Sequence, residues 1–246
     1  MRVREIAVAA LLAGLLQALP LGAQEISPVF DMGALAGTAS LGAVINQERE
    51  RANTRQASAP VFRPGGSFGK PAPAGAAALP MRYAATPALR RQVLGEFIER
   101  VRRGSPENAA IVEGELRRND YAAIYDGVVG PYGLAGNDAA NVLAAYMILG
   151  WMIVHGGQEP PPGAAGGVRA QAAAALSDPR LASPEARARL GEEFKILFVV
   201  VHAGWLAAGR EGSLDRYADG LAEMFMEHDG LDLRSMKLGP AGFRPG

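Results

Sequence analysis

The three histidines are the residues of this sequence best suited to carry protons or to bind a metal near neutral pH. His155, His202 and His228 lie far apart along the chain, and the chain has no cysteine that could complete a site. His155 and His228 each fall in the last turn of a predicted helix, where a charged imidazole interacts favourably with the helix dipole. The sequence therefore predicts no metal site and no cofactor.

A glycine-rich segment from Gly130 to Asp138 precedes a predicted helix. Backbone amides at such a position can bind an anion. No strand precedes the segment, and no lysine follows at the position that contacts phosphate in nucleotide-binding loops. We interpret it as a tight turn that leads into a buried helix.

Catalytic residues are not indicated by any motif. The chain has no Gly-x-Ser-x-Gly sequence, which would place a serine nucleophile on a sharp turn. Glu192 and Glu193 stand beside Lys195, and we expect all three on a solvated flank of a helix. The sequence therefore predicts no catalytic residue and no cofactor-binding residue.

Four acidic residues recur every fourth position near the C-terminus, at Asp215, Asp219, Glu223 and Glu227. Like charges at this spacing destabilise a helix by some tenths of a kcal/mol per pair. Three interpretations stay open: the residues are solvated, a cation or basic partner binds them, or they pair with arginines of the first long helix. Those arginines are Arg90, Arg91, Arg100, Arg102 and Arg103.

The spacing of apolar residues predicts the elements that would position these groups. Thr86-Pro87, Ser105-Pro106 and Ser183-Pro184 are typical helix starts. No segment alternates with a period of two residues, so we expect no sheet. The predicted fold class is all-α, a single bundle of about six helices, with an alanine-rich seventh helix near 164–177. The six predicted helices cover residues 87–103, 106–118, 120–129, 138–155, 184–209 and 213–228.

Helices 138–155 and 184–209 are expected to form the centre of the bundle, because long stretches of both carry no charge. Periodicity predicts Trp205 in the core and Trp151 on the opposite face from Tyr146. A ligand or partner surface is predicted near these helices, formed by Tyr132, Tyr146, Trp151 and His202.

The N-terminus reads as a secretory signal peptide over residues 1–23. Arg2 and Arg4 precede an apolar run that ends before the small residue Ala23, after which we expect cleavage. Residues 24–85 are rich in alanine, glycine and proline and are predicted to be a disordered tether. The helical domain is predicted to cover residues 86–246.

Composition limits the partners and the location. The chain has 25 basic and 25 acidic residues, which argues against electrostatic recognition of nucleic acid. No predicted helix is long and apolar enough to span a membrane after cleavage of the signal peptide. We expect a soluble protein in the periplasm or the medium, with another envelope protein as its partner.

The segment from Tyr132 to Trp151, with Phe194 to Trp205 and Tyr217 to Leu233, resembles an uncharacterised family of exported bacterial proteins. The resemblance covers about residues 119–243. It implies export and a helical domain, and it implies no activity, cofactor or catalytic residue.

These observations predict an interaction or structural module of the cell envelope rather than an enzyme. The alternative is an envelope enzyme or small-ligand binder with its pocket between helices 138–155 and 184–209.

Overall fold

Seven α-helices dominate the part of the chain that the computed structural model describes, residues 68–104, 106–177 and 183–246. The predicted all-α bundle is confirmed, and the alanine-rich segment is its seventh helix. The predicted signal peptide and most of the predicted tether lie outside the described residues. The helices are α1 Pro87–Gly104, α2 Pro106–Arg118, α3 Tyr121–Val129, α4 Ala139–Val154, α5 Ala164–Ala175, α6 Pro184–Glu211 and α7 Leu214–Met224.

The helix starts follow the local signals in the sequence. The Ser183 hydroxyl accepts a hydrogen bond from the backbone N–H of Ala186, and Pro184 occupies the first turn of α6. The Asp138 carboxylate caps α4 by accepting from the N–H of Asn141. Each cap satisfies an N–H that has no partner within its helix.

Helices α4 and α6 contact each other at the centre of the bundle, as predicted. Fifteen of the sixteen residues of α4 are buried, because α5, α6 and α7 all pack against it. Two close approaches use glycine: a Cβ at Gly150 would lie 2.8 Å from the Phe225 ring, and one at Gly204 would lie 2.4 Å from the Tyr217 hydroxyl.

A small antiparallel hairpin near the C-terminus contradicts the expectation of no sheet. It pairs β1 (Met236–Gly239) with β2 (Gly242–Pro245). Its strands are too short to show an alternating pattern in the sequence. The outer edge of β2 is covered by the fully buried Gln171 of α5, whose amide bonds both the N–H and the C=O of Phe243.

The domain begins earlier than the predicted boundary at residue 86. Residues 68–83, which we call the N-terminal strap, run across the helices and bury Phe68, Met81 and Tyr83. Residues 68–83 therefore belong to the folded domain and not to the predicted tether. The composition gave no indication that the strap is ordered, because the strap is rich in alanine and proline. It is held mainly through its backbone carbonyls.

The contact between α5 and the hairpin yields a prediction with an internal control. A Cβ at Gly167 would lie 2.2 Å from the backbone nitrogen of Gly242, whereas a Cβ at Gly166 would have no neighbour within 4 Å. We expect Gly167→Ala to destabilise the protein by about 1–3 kcal/mol through overpacking. Gly166→Ala should instead stabilise it by about 0.5–1 kcal/mol. Urea unfolding measures both; equal effects would place the hairpin elsewhere.

Candidate functional site

The four residues predicted to form a ligand or partner surface do not share one surface. Tyr132 is 47% exposed and His202 is half-buried, whereas Tyr146 and Trp151 belong to the core. The structure therefore separates the set into two residues that reach solvent and two that cannot contact a partner without rearrangement.

Tyr146 fills the space where the alternative prediction put a pocket. Its ring stacks on Phe194 of α6 at 6.0 Å and on Phe225 at 5.3 Å between ring centroids. Burial and the nearby Asp229 carboxylate raise the pKa of the Tyr146 hydroxyl well above its ordinary value. Around Tyr146, packed side chains therefore fill the space between α4 and α6.

The two tryptophans have exchanged the environments that periodicity predicted. Trp151 is 3% exposed and donates a hydrogen bond from Nε1 to the Met236 carbonyl at 2.8 Å. Trp205 is only half-buried and lies against the turn at Gly157. The prediction that Trp205 is the core residue and Trp151 the outer one is wrong, because the hairpin covers Trp151.

One face of α6 stays half-exposed over its last two turns. His202, Trp205, Leu206 and Gly209 recur at the spacing of a single helix face, and all of them reach solvent. Leu214, which is 43% exposed, approaches Gly209 at the lower end of this face. We call these five residues the α6 face. None of them carries a formal charge at neutral pH.

The same side of α6 is covered one turn earlier, which defines where the α6 face begins. Phe198 is buried and packs edge-on against Tyr125 of α3, with ring centroids 5.1 Å apart. His202 then stacks on Phe198 at 6.0 Å. Beyond the end of α3 at Val129, the described residues leave this side of the helix half-exposed.

A buried ionic cluster on α6 was missed by the sequence analysis. Glu192 is 0% exposed and Lys195 is 3% exposed, so the prediction of a solvated flank is wrong. The Glu192 carboxylate accepts hydrogen bonds from Lys195 Nζ at 2.7 Å and from the Tyr121 hydroxyl at 2.8 Å. The Tyr83 hydroxyl lies 3.1 Å from Oε1, and Arg90 Nε lies 3.2 Å from Oε2.

The Glu192 carboxylate is surrounded by side chains of the protein, which we call the Glu192 cluster. Burial, followed by the Glu192 charge, raises the pKa values of the Tyr83 and Tyr121 hydroxyls, so both stay protonated as donors. Tyr83 also lies 2.7 Å from the Gly136 carbonyl and so attaches the glycine-rich loop. Lys195 and Tyr121 donate to this carboxylate, Arg90 forms an ion pair with it, and the Tyr83 hydroxyl is shared with the Gly136 carbonyl, so we interpret the cluster as structural.

The acidic series of the last helix is solvent-exposed. Asp215, Asp219, Glu223 and Glu227 are exposed, and Arg234 pairs with Asp219. Three of the five arginines proposed as their partners are engaged elsewhere: Arg90 contacts Glu192, Arg100 contacts Glu193, and Arg102 contacts Glu113. Pairing of the acidic series with α1 is therefore wrong for these three arginines, and the solvated interpretation fits the exposure.

The described residues give no sign of a metal centre or a membrane span. Among them, no group of three or more histidine, cysteine or carboxylate side chains converges. No helix in the same ranges has the length and hydropathy needed to cross a bilayer.

Comparison with known proteins adds no relative: no protein-family model, curated protein or solved structure matches this chain. The resemblance to a family of exported bacterial proteins stays an expectation.

His202 gives a pH-dependent prediction. Burial lowers its pKa below the ordinary value of 6.5, so the folded state favours the neutral ring. The stability it contributes is present above pH 6.5 and is lost as the pH falls through the folded-state pKa. We expect the free energy of unfolding to fall less between pH 7 and 5 in His202→Gln than in the unmodified protein. The other two histidines remain in both proteins, so identical pH slopes would contradict the prediction.

Proposed function

We propose that this protein is an exported interaction or structural module of the cell envelope and that the α6 face is its partner-binding surface. The observation that carries the proposal is the partly exposed apolar face on a helix whose other sides are buried. Isolated apolar residues on a surface are ordinary, but a contiguous strip that includes a tryptophan is typical of protein interfaces.

The chemistry of the α6 face supports a partner with an uncharged apolar surface. From Ile196 to Gly209 the sequence has no charged residue at neutral pH. An acidic or basic ligand would gain no ion pair there and would lose hydration on binding. The proposed partner is therefore an envelope protein that presents an uncharged apolar surface.

A small-molecule pocket between α4 and α6 is less well supported. Tyr146 and Trp151, two of its proposed lining residues, are buried by the packing of Phe194, Phe225 and Met236. A ligand of ordinary size needs a cleft of about 300–1,000 Å³, and opening one here would separate the two central helices.

Site-specific photo-crosslinking in the native host tests the proposal. A photo-reactive amino acid at Leu206 should give one discrete protein adduct, whereas the same residue at Met226 should not. Met226 is the matched control because it is 48% exposed in the π-helical turn that follows α7, outside the α6 face. Ala203→Arg, which places a charge beside the face, should reduce the Leu206 adduct at least tenfold. Equal adducts at both positions, or none at Leu206, would contradict the proposed surface.

Export is part of the same proposal and is tested separately. The basic N-terminus and apolar run support cleavage after Ala23. Intact-mass measurement of protein from the periplasm or medium should show the mature chain from Gln24. A full-length mass in the membrane fraction would overturn export as proposed here.

A further inference from the structure

The N-terminal strap, which contains a 3-10 turn at Ala76–Ala78, is bound in the manner of a peptide ligand, mainly through its backbone. The body of the domain, residues 87–246, donates hydrogen bonds to six strap carbonyls, those of Phe68, Lys70, Ala77, Leu79, Pro80 and Met81. Pro71, Pro73 and Pro80 have no N–H to offer in return. The strap therefore supplies mainly acceptors, and the body supplies mainly donors.

Three side chains of the body donate most of these hydrogen bonds. Arg169 of α5 donates to the Ala77 carbonyl at 2.6 Å, and its second terminal nitrogen reaches Asp138 at 2.9 Å. Arg187 of α6 donates to the Pro80 carbonyl at 3.1 Å. Gln171, fully buried, lies 2.8 Å from the Lys70 carbonyl. We call the surface formed by these side chains and the loop around Asn137 the strap groove.

The strap also has apolar anchors at both ends. At one end, Phe68 is 0% exposed and packs edge-on against Phe243 of the hairpin. At the other end, Tyr83 is 8% exposed and its N–H donates to the Asn137 carbonyl at 2.9 Å. Most residues between the anchors are exposed. Binding by two anchors and by backbone carbonyls is typical of peptide recognition.

Only two residues, Ala84 and Ala85, connect the strap to the cap of α1 at Thr86. The groove residues that hold the strap lie about 50 to 110 positions further along the chain, as the separations of 53 for Tyr83 with Gly136 and 107 for Arg187 with Pro80 show. A second copy presents the same carbonyls and anchors. Contacts of this kind can form between two copies without any new interaction.

We propose that the strap groove accepts the strap of a second copy of this chain, so that two copies exchange residues 68–83 and form a dimer. The short connection raises the effective concentration of the strap in its own groove and favours the closed monomer. Exchange between copies is favoured when the connection is too short for the strap to reach its own groove. It is also favoured when the copies are held at high local concentration.

Shortening the connection in the full chain tests the proposal. Deleting residues 84–85 removes about 7 Å of extended chain, so the strap cannot reach its own groove. We expect this deletion to raise the dimer fraction, measured by light scattering after size exclusion, at least ~10-fold over the matched control. The control carries a five-residue Gly-Ser insertion after Ala85 and should be monomeric.

Substitutions in the strap groove distinguish a dimer formed by strap exchange from a dimer formed through another surface. Adding Arg169→Ala and Gln171→Ala to the deletion variant should return it to monomer. A monomeric deletion variant, or a dimer that ignores the two groove substitutions, overturns the proposal. If the deletion variant fails to fold, the unmodified chain provides the test. Two differently tagged copies of it are unfolded and refolded together at high concentration. A species carrying both tags is then expected, and its absence overturns the proposal.

Discussion

Replacing Glu192 by glutamine is expected to lower the free energy of unfolding by about 3–5 kcal/mol, the range found when one partner of a buried ion pair is removed. The neutral amide leaves the buried Lys195 ammonium without its counter-charge. It also weakens two phenol hydrogen bonds that join the strap and α3 to α6. Urea unfolding followed by circular dichroism measures the loss.

Two further variants identify the cause of that loss. Glu185→Gln is the matched control, because Glu185 is exposed in the first turn of the same helix; it should change stability by no more than about 0.5 kcal/mol. The double variant Glu192→Gln/Lys195→Met removes both charges and should recover at least about 1 kcal/mol of the loss. If the double variant is less stable than Glu192→Gln alone, the uncompensated ammonium is not the source of the effect.

Truncating Trp151 to alanine should cost about 3–5 kcal/mol, as is usual for a large buried aromatic residue. It removes a side chain that is 3% exposed, together with the hydrogen bond from its indole to the hairpin at Met236. Trp205→Ala should cost less, because that side chain is only partly buried against the core.

Denaturant midpoints of the two tryptophan variants, interpreted with a common m-value, give the comparison. A second readout separates packing from binding. Trp205→Ala should weaken the Leu206 photo-crosslink described above, whereas Trp151→Ala should leave it in place while the protein is folded. A larger stability loss for Trp205→Ala would mean that α6 is rotated about its axis relative to this structure.

Local sequence determined where the helices are. Proline and capping residues at positions such as Ser183-Pro184, with apolar spacing of three and four, act within a few residues of the chain. The predicted ranges therefore agree with the seven observed helices to within a few residues at nearly every helix end. The exception is the last helix, which ends at Met224, before a π-helical turn over Phe225–Asp229. The spacing of the acidic series was also visible in the sequence, because charge spacing is a local property, but its exposure was one of three open interpretations.

Rotation of the central helices was decided by tertiary structure. Periodicity identifies a buried face only when another face is polar. Helix α4 is apolar on every side, so its sequence gives no reason to prefer Trp151 or Tyr146 as the inward residue. The packing of the hairpin, about 85 residues further along the chain, is what buries Trp151.

The Glu192 cluster and the strap were likewise decided by distant neighbours. Glu192 is buried because Tyr83 and Tyr121, 109 and 71 positions earlier, bring their hydroxyls to it. A carboxylate is expected in water unless such partners are present, and sequence spacing cannot reveal partners at that distance. The strap is ordered for the same reason: its alanines and prolines bury little surface, and the donors that hold its carbonyls come from α4, α5 and α6, far along the chain.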